Sequence, residues 1–500
     1  MTTLLLGLDA GTTGARAVAV DESGKLLASA SAGYELSMPR PGWTEQDPAL
    51  WWEACRRVLA EVSEACAGDF AGLGLTGQMH GSVFLDEAGV PIRPALLWND
   101  QRTAGQCEEI TELVGPSRLL EIAGNPALTG FQAPKILWLR EEEPEAYTRV
   151  RHVLLPKDYL RYRLTGELIT DVSDASGTLL LDVRARGWSP ELLELLGVPR
   201  KWLPEVRESP ELAGRLRPEV AAELGLPAGL PVAAGAGDNA AAAVGIGVIG
   251  GGLASSSIGT SGVLFVHTDE FTPDPSGRVH AFGHAVPGAY HVMGVTLAAG
   301  ASLGWWRSII GQDMSYDDLA ALAGSAPPGS EGLVFLPHLF GERSPHLDPR
   351  ARGLFLGLTA RHTGAHLTRA VMEGVVFSLR QCLDVVRTLG VPVSEIRATG
   401  GGARNPLWLQ LQADIYGIAV TRMAVDEGPA YGAALLAGVA AGVFPDLARA
   451  CGPVQVSGTF EPNQRHAEIY DRAYAVYRDL YPALREPMHR LSTLAEGASG

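Results

Sequence analysis

The chain has 500 residues, too many for one small core, and this length predicts two or more domains. Hydrophobic residues make up 46% and charged residues 19%, which is a globular balance and excludes a disordered chain. With 40 basic and 56 acidic side chains the formal net charge is −16, which argues against a general affinity for nucleic acid or for anionic membranes.

In chain order, Leu4–Leu8, Ala15–Asp21 and Lys25–Ser31 predict a three-strand meander with turns at the glycines between them. The short apolar start meets Asp9 before it reaches signal-peptide length, and no apolar run is long enough to span a membrane, so a cytoplasmic protein is expected. Pro48 opens a helix whose apolar positions Trp51, Trp52, Cys55, Val58, Leu59 and Val62 recur with a period of 3.6. Strands follow near Phe70–Thr76 and Ser82–Leu85, and a Pro/Gly-rich stretch leads into an apolar strand at Val232–Ala236. Five cysteines (Cys55, Cys66, Cys107, Cys382 and Cys451) include no C-x-x-C pair, so neither a disulfide framework nor a structural zinc site is expected.

One turn recurs. Gly11-Thr12-Thr13-Gly14 follows the first strand, and Gly259-Thr260-Ser261-Gly262 follows Leu253–Ile258 half a chain later; a second strand comes after each. This predicts an α/β protein of two similar units, residues 1–245 and 246–487, joined at the Gly-rich stretch Gly245–Gly252, with 488–500 as a flexible tail.

Familiar nucleotide motifs fail. Gly72–Gly77 and Gly245–Gly250 match G-x-G-x-x-G, but neither sits between a strand and a helix N-terminus, where the fingerprint works. The chain has only four lysines, and its single Gly-Lys pair, Gly24-Lys25, is followed by leucine, so there is no P-loop. There is no kinase His-Arg-Asp motif.

Chemistry gathers elsewhere. Glycines in the first turn let successive N–H groups point at one anion, Thr12 and Thr13 add hydroxyl donors, and Arg16 adds a cation. Asp9 beside that cradle suits a Mg²⁺ ion held through water; a plain hairpin with Asp9 bonded to local amides is the alternative. Ser257 takes the place of Asp9 in the second copy, as expected if one metal serves one nucleotide between two lobes. Asp238, at the end of Val232–Ala236, is positioned as a general base or, more simply, as the N-cap of the alanine-rich helix after it. Gly77-Gln78-Met79-His80-Gly81 and Trp98-Asn99-Asp100-Gln101-Arg102 combine hydrogen-bonding groups with an apolar wall, as a sugar or polyol site requires. Taken singly, His80 reads as a satisfied buried histidine and Asp100 as a helix N-cap. Gly400-Gly401-Gly402-Ala403-Arg404-Asn405-Pro406 places Asn405 as N-cap of Leu407–Tyr416, and its three glycines would let a flat base approach the backbone.

Together with Pro41-Gly42-Trp43-Thr44-Glu45-Gln46, Gly237-Asp238-Asn239, Gly341-Glu342-Arg343-Ser344-Pro345 and Glu427–Ala434, these segments resemble the FGGY family of carbohydrate kinases along almost the whole chain. The resemblance implies two actin-like, ribonuclease-H-like domains with an ATP and sugar cleft between them. It assigns Asp238 as proton acceptor and Asp9 as its partner through Mg²⁺. It puts Met79, His80, Asp238 and Asn239 on a ketopentose, and Thr12, Thr13, Arg16, Gly259, Thr260, Gly401, Gly402 and Asn405 on ATP. Gln78-Met79-His80-Gly81 points within the family to ATP + D-xylulose → ADP + D-xylulose 5-phosphate, with another pentulose or polyol as the alternative. An actin-like ATPase or sugar-responsive binding protein is the reading from another class. A homodimer is a family-based expectation only.

Overall fold

A computed structural model gives the fold and describes residues 2–425 and 427–497. Strands β1 (Thr3–Ala10), β2 (Gly14–Asp21) and β3 (Leu26–Gly33) form the expected antiparallel meander. Helix α1 (Pro48–Ala65) begins with proline in its first turn, where no backbone donor is lost, and the Asp47 side chain accepts the Ala49 N–H. Its buried stripe is Trp51, Cys55, Val58, Leu59 and Val62, with Trp52 only partly covered. Strand β4 (Asp69–Gly77) returns parallel to β1. After a largely helical excursion come β5 (Leu212–Arg215), β6 (Pro231–Ala233), β7 (Ala236–Gly237) and α2 (Asp238–Gly245). The sheet order is β5-β6-β4-β1-β2-β3, with β7 also lying along β4.

The apolar run Val232–Ala236, expected as one strand, is broken. Gly235 has φ +80° and passes so close to β4 that a Cβ there would lie 2.1 Å from Leu75 O. That break is the bend that brings Asp238 out of the sheet.

The second half repeats the plan with β8 (Gly252–Ile258), β9 (Gly262–Thr268), β10 (His280–Gly283), β11 (Tyr290–Thr296), α3 (Gly364–Thr388), β12 (Val393–Thr399), α4 (Pro406–Tyr416), β13 (Ala419–Met423), α5 (Pro429–Ala440), β14 (Val456–Phe460) and α6 (Gln464–Gly497). Its order is β10-β11-β9-β8-β12-β13-β14. The central runs β6-β4-β1-β2-β3 and β13-β12-β8-β9-β11 agree in order and in strand direction. Asp9 faces Thr76 across β1 and β4, and Ser257 faces Thr399 across β8 and β12, so the recurring turns are equivalent in three dimensions. This is the ribonuclease-H-like arrangement of actin-like proteins, present twice.

Helix α5 crosses between halves and lies on β1 and β4 of the first sheet. Gly7 and Gly74 permit this: a Cβ on either would lie 1.9 Å from a carbonyl oxygen of α5, Ala430 O or Ala433 O respectively. Gly72 and Gly74 of the Gly72–Gly77 match therefore serve helix–sheet packing, and Gly77 packs on the neighbouring strand at Ala10 O. On its other side α5 meets α2, where a Cβ on Gly432 would lie 1.8 Å from Ala241 O.

The expected flexible tail is helical as far as the chain is described. Helix α6 continues through Pro482 and Pro487 to Gly497; residues 498–500 lie outside the described residues. Local sequence predicts a stop at such prolines. Tertiary contacts override it: Met488 and Ser492 are buried, and His489 Nε2 lies 2.6 Å from Asp348 Oδ2. All five cysteines are free, and among the described residues no helix is long and apolar enough to cross a membrane.

Candidate active site

The end of β1 and the start of β2 hold the first turn. Gly11 N–H donates to Gly14 O at 3.0 Å, Gln46 Nε2 donates to Thr12 O at 2.8 Å, and Tyr34 OH donates to Gly11 O. Trp98 Nε1 donates to Thr12 Oγ1 at 2.9 Å, so the Thr12 hydroxyl proton stays free to donate outward. Thr13 is exposed at the tip. Arg16 is ion-paired with Glu427 of the second half, so the cation expected to face nucleotide shares its charge across the two halves.

Asp9 lies at the floor of this turn. Its Oδ1 is buried without a hydrogen-bond partner. Burial, reinforced by the charge of Asp238 and offset in part by Arg16, pushes its carboxyl up to about 7. A buried, unpartnered carboxylate oxygen beside a phosphate-sized cradle fits a divalent cation. The described residues hold no cluster of three metal-ligating side chains, so such an ion would rely on Asp9, water and phosphate oxygens, which is how Mg²⁺ binds.

Asp238 opens α2. The N-cap position belongs to Gly237, so the expected Asp238 cap is replaced by a different contact: Asp238 Oδ1 accepts from Asn239 N–H at 2.7 Å and Asn239 Nδ2 at 2.8 Å. Both bonds fall on one oxygen and leave Oδ2 open. Burial raises the carboxyl to about 6 even though the Asn239 bonds favour the charged form. The strand leading to it is pinned by buried cations: Lys157 Nζ and Arg161 Nη1 donate to Ala234 O at 3.2 and 2.9 Å, and Ser173 Oγ accepts the Gly237 N–H at 3.1 Å.

Met79 and His80 adjoin this point. Met79 is buried against Gly237, where a Cβ would fall 2.9 Å from Met79 Sδ. His80 sits at φ +67°, its ring edge-on to Phe131 at 4.6 Å. His80 Nδ1 lies 2.8 Å from Gly177 O; a carbonyl only accepts, so Nδ1 carries the proton and Nε2 is an acceptor. Burial lowers its pKa to about 3, which keeps the ring neutral. Asp100 is not the expected N-cap of the next helix, since Thr103 occupies that position. It is fully buried, takes the Thr44 N–H at 2.6 Å and binds Arg102 at 2.8 Å, and so braces the loop that sends Trp98 to Thr12. Trp98 thus supports the first turn through its indole N–H.

The equivalent turn of the second half opens into a cavity of about 630 Å³ lined by Gly259, Thr260, Gly401, Gly402 and Asn405, all expected from sequence. Gly402 packs where a Cβ would meet Ile258 Cβ at 2.6 Å, and Asn405 Oδ1 caps α4 through Leu407 N at 2.9 Å. Sequence reasoning missed Gly300, Leu303, Tyr316 and Trp408 in the same cavity. The small-residue run Ala298-Ala299-Gly300 after β11 was the available signal: Gly300 N–H donates to Gly259 O at 2.7 Å and starts a helix at the turn.

A pair of carboxylates in the first half, a matching turn in each half and a cavity of about 630 Å³ at the second turn are what phosphoryl transfer would need. Models of the N-terminal and C-terminal domains of the FGGY family of carbohydrate kinases match residues 4–245 and 254–441. The chain belongs to this family and is a carbohydrate kinase. It is 42% identical over 496 residues to the xylulose kinase of Lactococcus lactis, covering 98% of each chain. Among solved structures, a "xyloylose kinase" from Brucella ovis matches with a TM-score of 0.92 at 41% identity, over 97% of this chain and 99% of that one. A gluconate kinase from Lactobacillus acidophilus matches with a TM-score of 0.93 at 28% identity, over 97% and 98%.

Proposed function

We propose that the chain phosphorylates D-xylulose on its terminal hydroxyl, using ATP, to give D-xylulose 5-phosphate. The observation that carries this reading is the placement of Asp238: a half-bonded carboxylate, raised to about 6, directly after Gly237, on which Met79 packs, and close enough to Asp9 for its charge to act there. The long xylulose kinase relatives support the sugar, whereas the gluconate kinase shows that this fold alone does not choose it.

Phosphoryl transfer needs alignment, charge neutralisation and a destination for the hydroxyl proton. Asp238 Oδ2 takes that proton from the attacking hydroxyl, while Oδ1 stays held by Asn239. Asn239 and the neutral His80 ring orient the sugar; His80 Nε2 accepts a hydrogen bond from a sugar hydroxyl. The amides and hydroxyls of the Gly11–Gly14 and Gly259–Gly262 turns hold the phosphates, and Gly401, Gly402 and Asn405 line the adenosine end. When bound, Mg²⁺ would sit at Asp9 and neutralise phosphate charge. A coupled ADP-release assay across D-xylulose, D-ribulose, xylitol and gluconate tests the reading. Turnover should depend on D-xylulose and yield its 5-phosphate, and sugar-independent ATP hydrolysis would refute it.

A further inference from the structure

Arg343 stands outside the residues used so far. Its neighbour Glu342 is buried and fully engaged: Oε1 accepts the N–H groups of Leu297 and Arg343 at 3.0 and 2.9 Å, and Oε2 meets His338 Nδ1 at 2.9 Å. Ser344 N–H donates to Val295 O at 2.8 Å, which ties the segment to the end of β11. Val295 packs in the apolar cluster of Phe131 and Phe282, the two rings that flank His80 at 4.6 and 6.0 Å. The second half therefore delivers Arg343 to the sugar side of the site.

Arg343 Nε is buried without a hydrogen-bond partner, and no carboxylate among the described residues pairs with the guanidinium. Uncompensated burial draws its pKa down to about 10, a costly arrangement for a structural cation. Its charge acts on His80 and on His280, whereas the charges that act on Asp9 are those of Asp238 and Arg16. With Ser344 tied to Val295 in the Phe131–Phe282 cluster, this puts Arg343 on the His80 side of the site. His280 Nδ1 lies 2.7 Å from Asn125 Oδ1, and its Nε2 is buried and unpartnered. With Nδ1–H donating to the Asn125 amide oxygen, Nε2 is an acceptor. A donor-only guanidinium beside two imidazole acceptors calls for a ligand end that offers one acceptor-only oxygen flanked by hydroxyl donors. The C1–C3 end of an open-chain ketose has that pattern.

We infer that Arg343 hydrogen-bonds the carbonyl oxygen of the bound ketose and so makes the site prefer a keto sugar to the matching pentitol. This rests on the reading of the chain as a D-xylulose kinase. Removing a charged donor from a buried acceptor should cost about 10–100-fold in affinity.

Steady-state kinetics of the wild type, Arg343→Met and Arg343→Lys with D-xylulose and with xylitol test it, xylitol being read as a competitive inhibitor where it is not turned over. In Arg343→Met the KM for D-xylulose should rise about 10–100-fold, with the KM for ATP and the xylitol constant within about threefold of wild type. Arg343→Lys, which keeps the charge and loses the fork, should fall between; it carries the test if the methionine variant does not fold. Equal losses for both sugars, a parallel rise in the ATP constant, or unchanged D-xylulose kinetics would each overturn the assignment. A wild-type enzyme inactive on D-xylulose refutes the substrate reading itself, whereas an active wild type matched by Arg343→Met refutes only the role of Arg343.

Discussion

The two carboxylates of the cleft differ because their surroundings differ. Asp238 gives one oxygen to Asn239 and keeps the other open, so Asp238→Asn should preserve the turn and remove the base. Loss of general-base help lowers kcat by roughly 10²–10⁴-fold. The N-cap is Gly237, so the thermal midpoint should barely move. A folded Asp238→Asn enzyme with most of its kcat would deny Asp238 the role of base. The same carboxyl sets a pH dependence. It acts ionised, and burial has raised it to about 6, so kcat/KM for the sugar, measured at saturating MgATP to hold Asp9 ionised, should fall as pH drops through about 6 and level off above it. His80, lowered to about 3, stays neutral across this range and adds no second step. A pH–rate profile flat from 5 to 8 would contradict the assignment.

Among the elements, α5 shows how closely packing is set. The helix belongs to the second half in sequence and to the face of the first sheet in space, with glycines where its backbone touches β1, β4 and α2. Gly74→Ala would place a methyl 1.9 Å from Ala433 O, inside any allowed contact. Overpacking of this kind costs about 1–3 kcal/mol or more, read as a lowered thermal midpoint. Because α5 also braces α2, which begins at Asp238, kcat should fall with it; an unchanged midpoint would mean that the sheet and helix can move apart freely. The meander, α1 and α4 were legible in the sequence because their apolar periods and capping residues are local signals. The break at Gly235 and the persistence of α6 beyond Pro487 were not, since each depends on a partner far along the chain.

For the molecule as a whole, the proposed sugar site uses Met79, His80 and Asp238 of the first half, while the proposed nucleotide cavity is lined by the second. Each ligand that binds only the folded chain stabilises it, by about 2.7 kcal/mol at a hundred times its Kd. In His80→Ala the rise in thermal midpoint given by D-xylulose should largely vanish, while that given by ADP persists. Loss of both shifts would mean that His80 supports the fold and not the sugar.

The sequence alone determined the duplicated turn, the carboxylate missing from its second copy, Asp238 after its apolar strand, and the glycines that line the cavity of the second half. These are short-range patterns, carried by residues whose backbone freedom or charge serves little else. Tertiary structure alone decided that Gly237 and not Asp238 caps α2, that Trp98 is spent on Thr12, that Arg16 pairs with Glu427, and that the Arg343 Nε is buried without a partner. Each of these depends on which side chains meet after the chain has folded back on itself. No local pattern of residues can report whether a buried charge has found a partner.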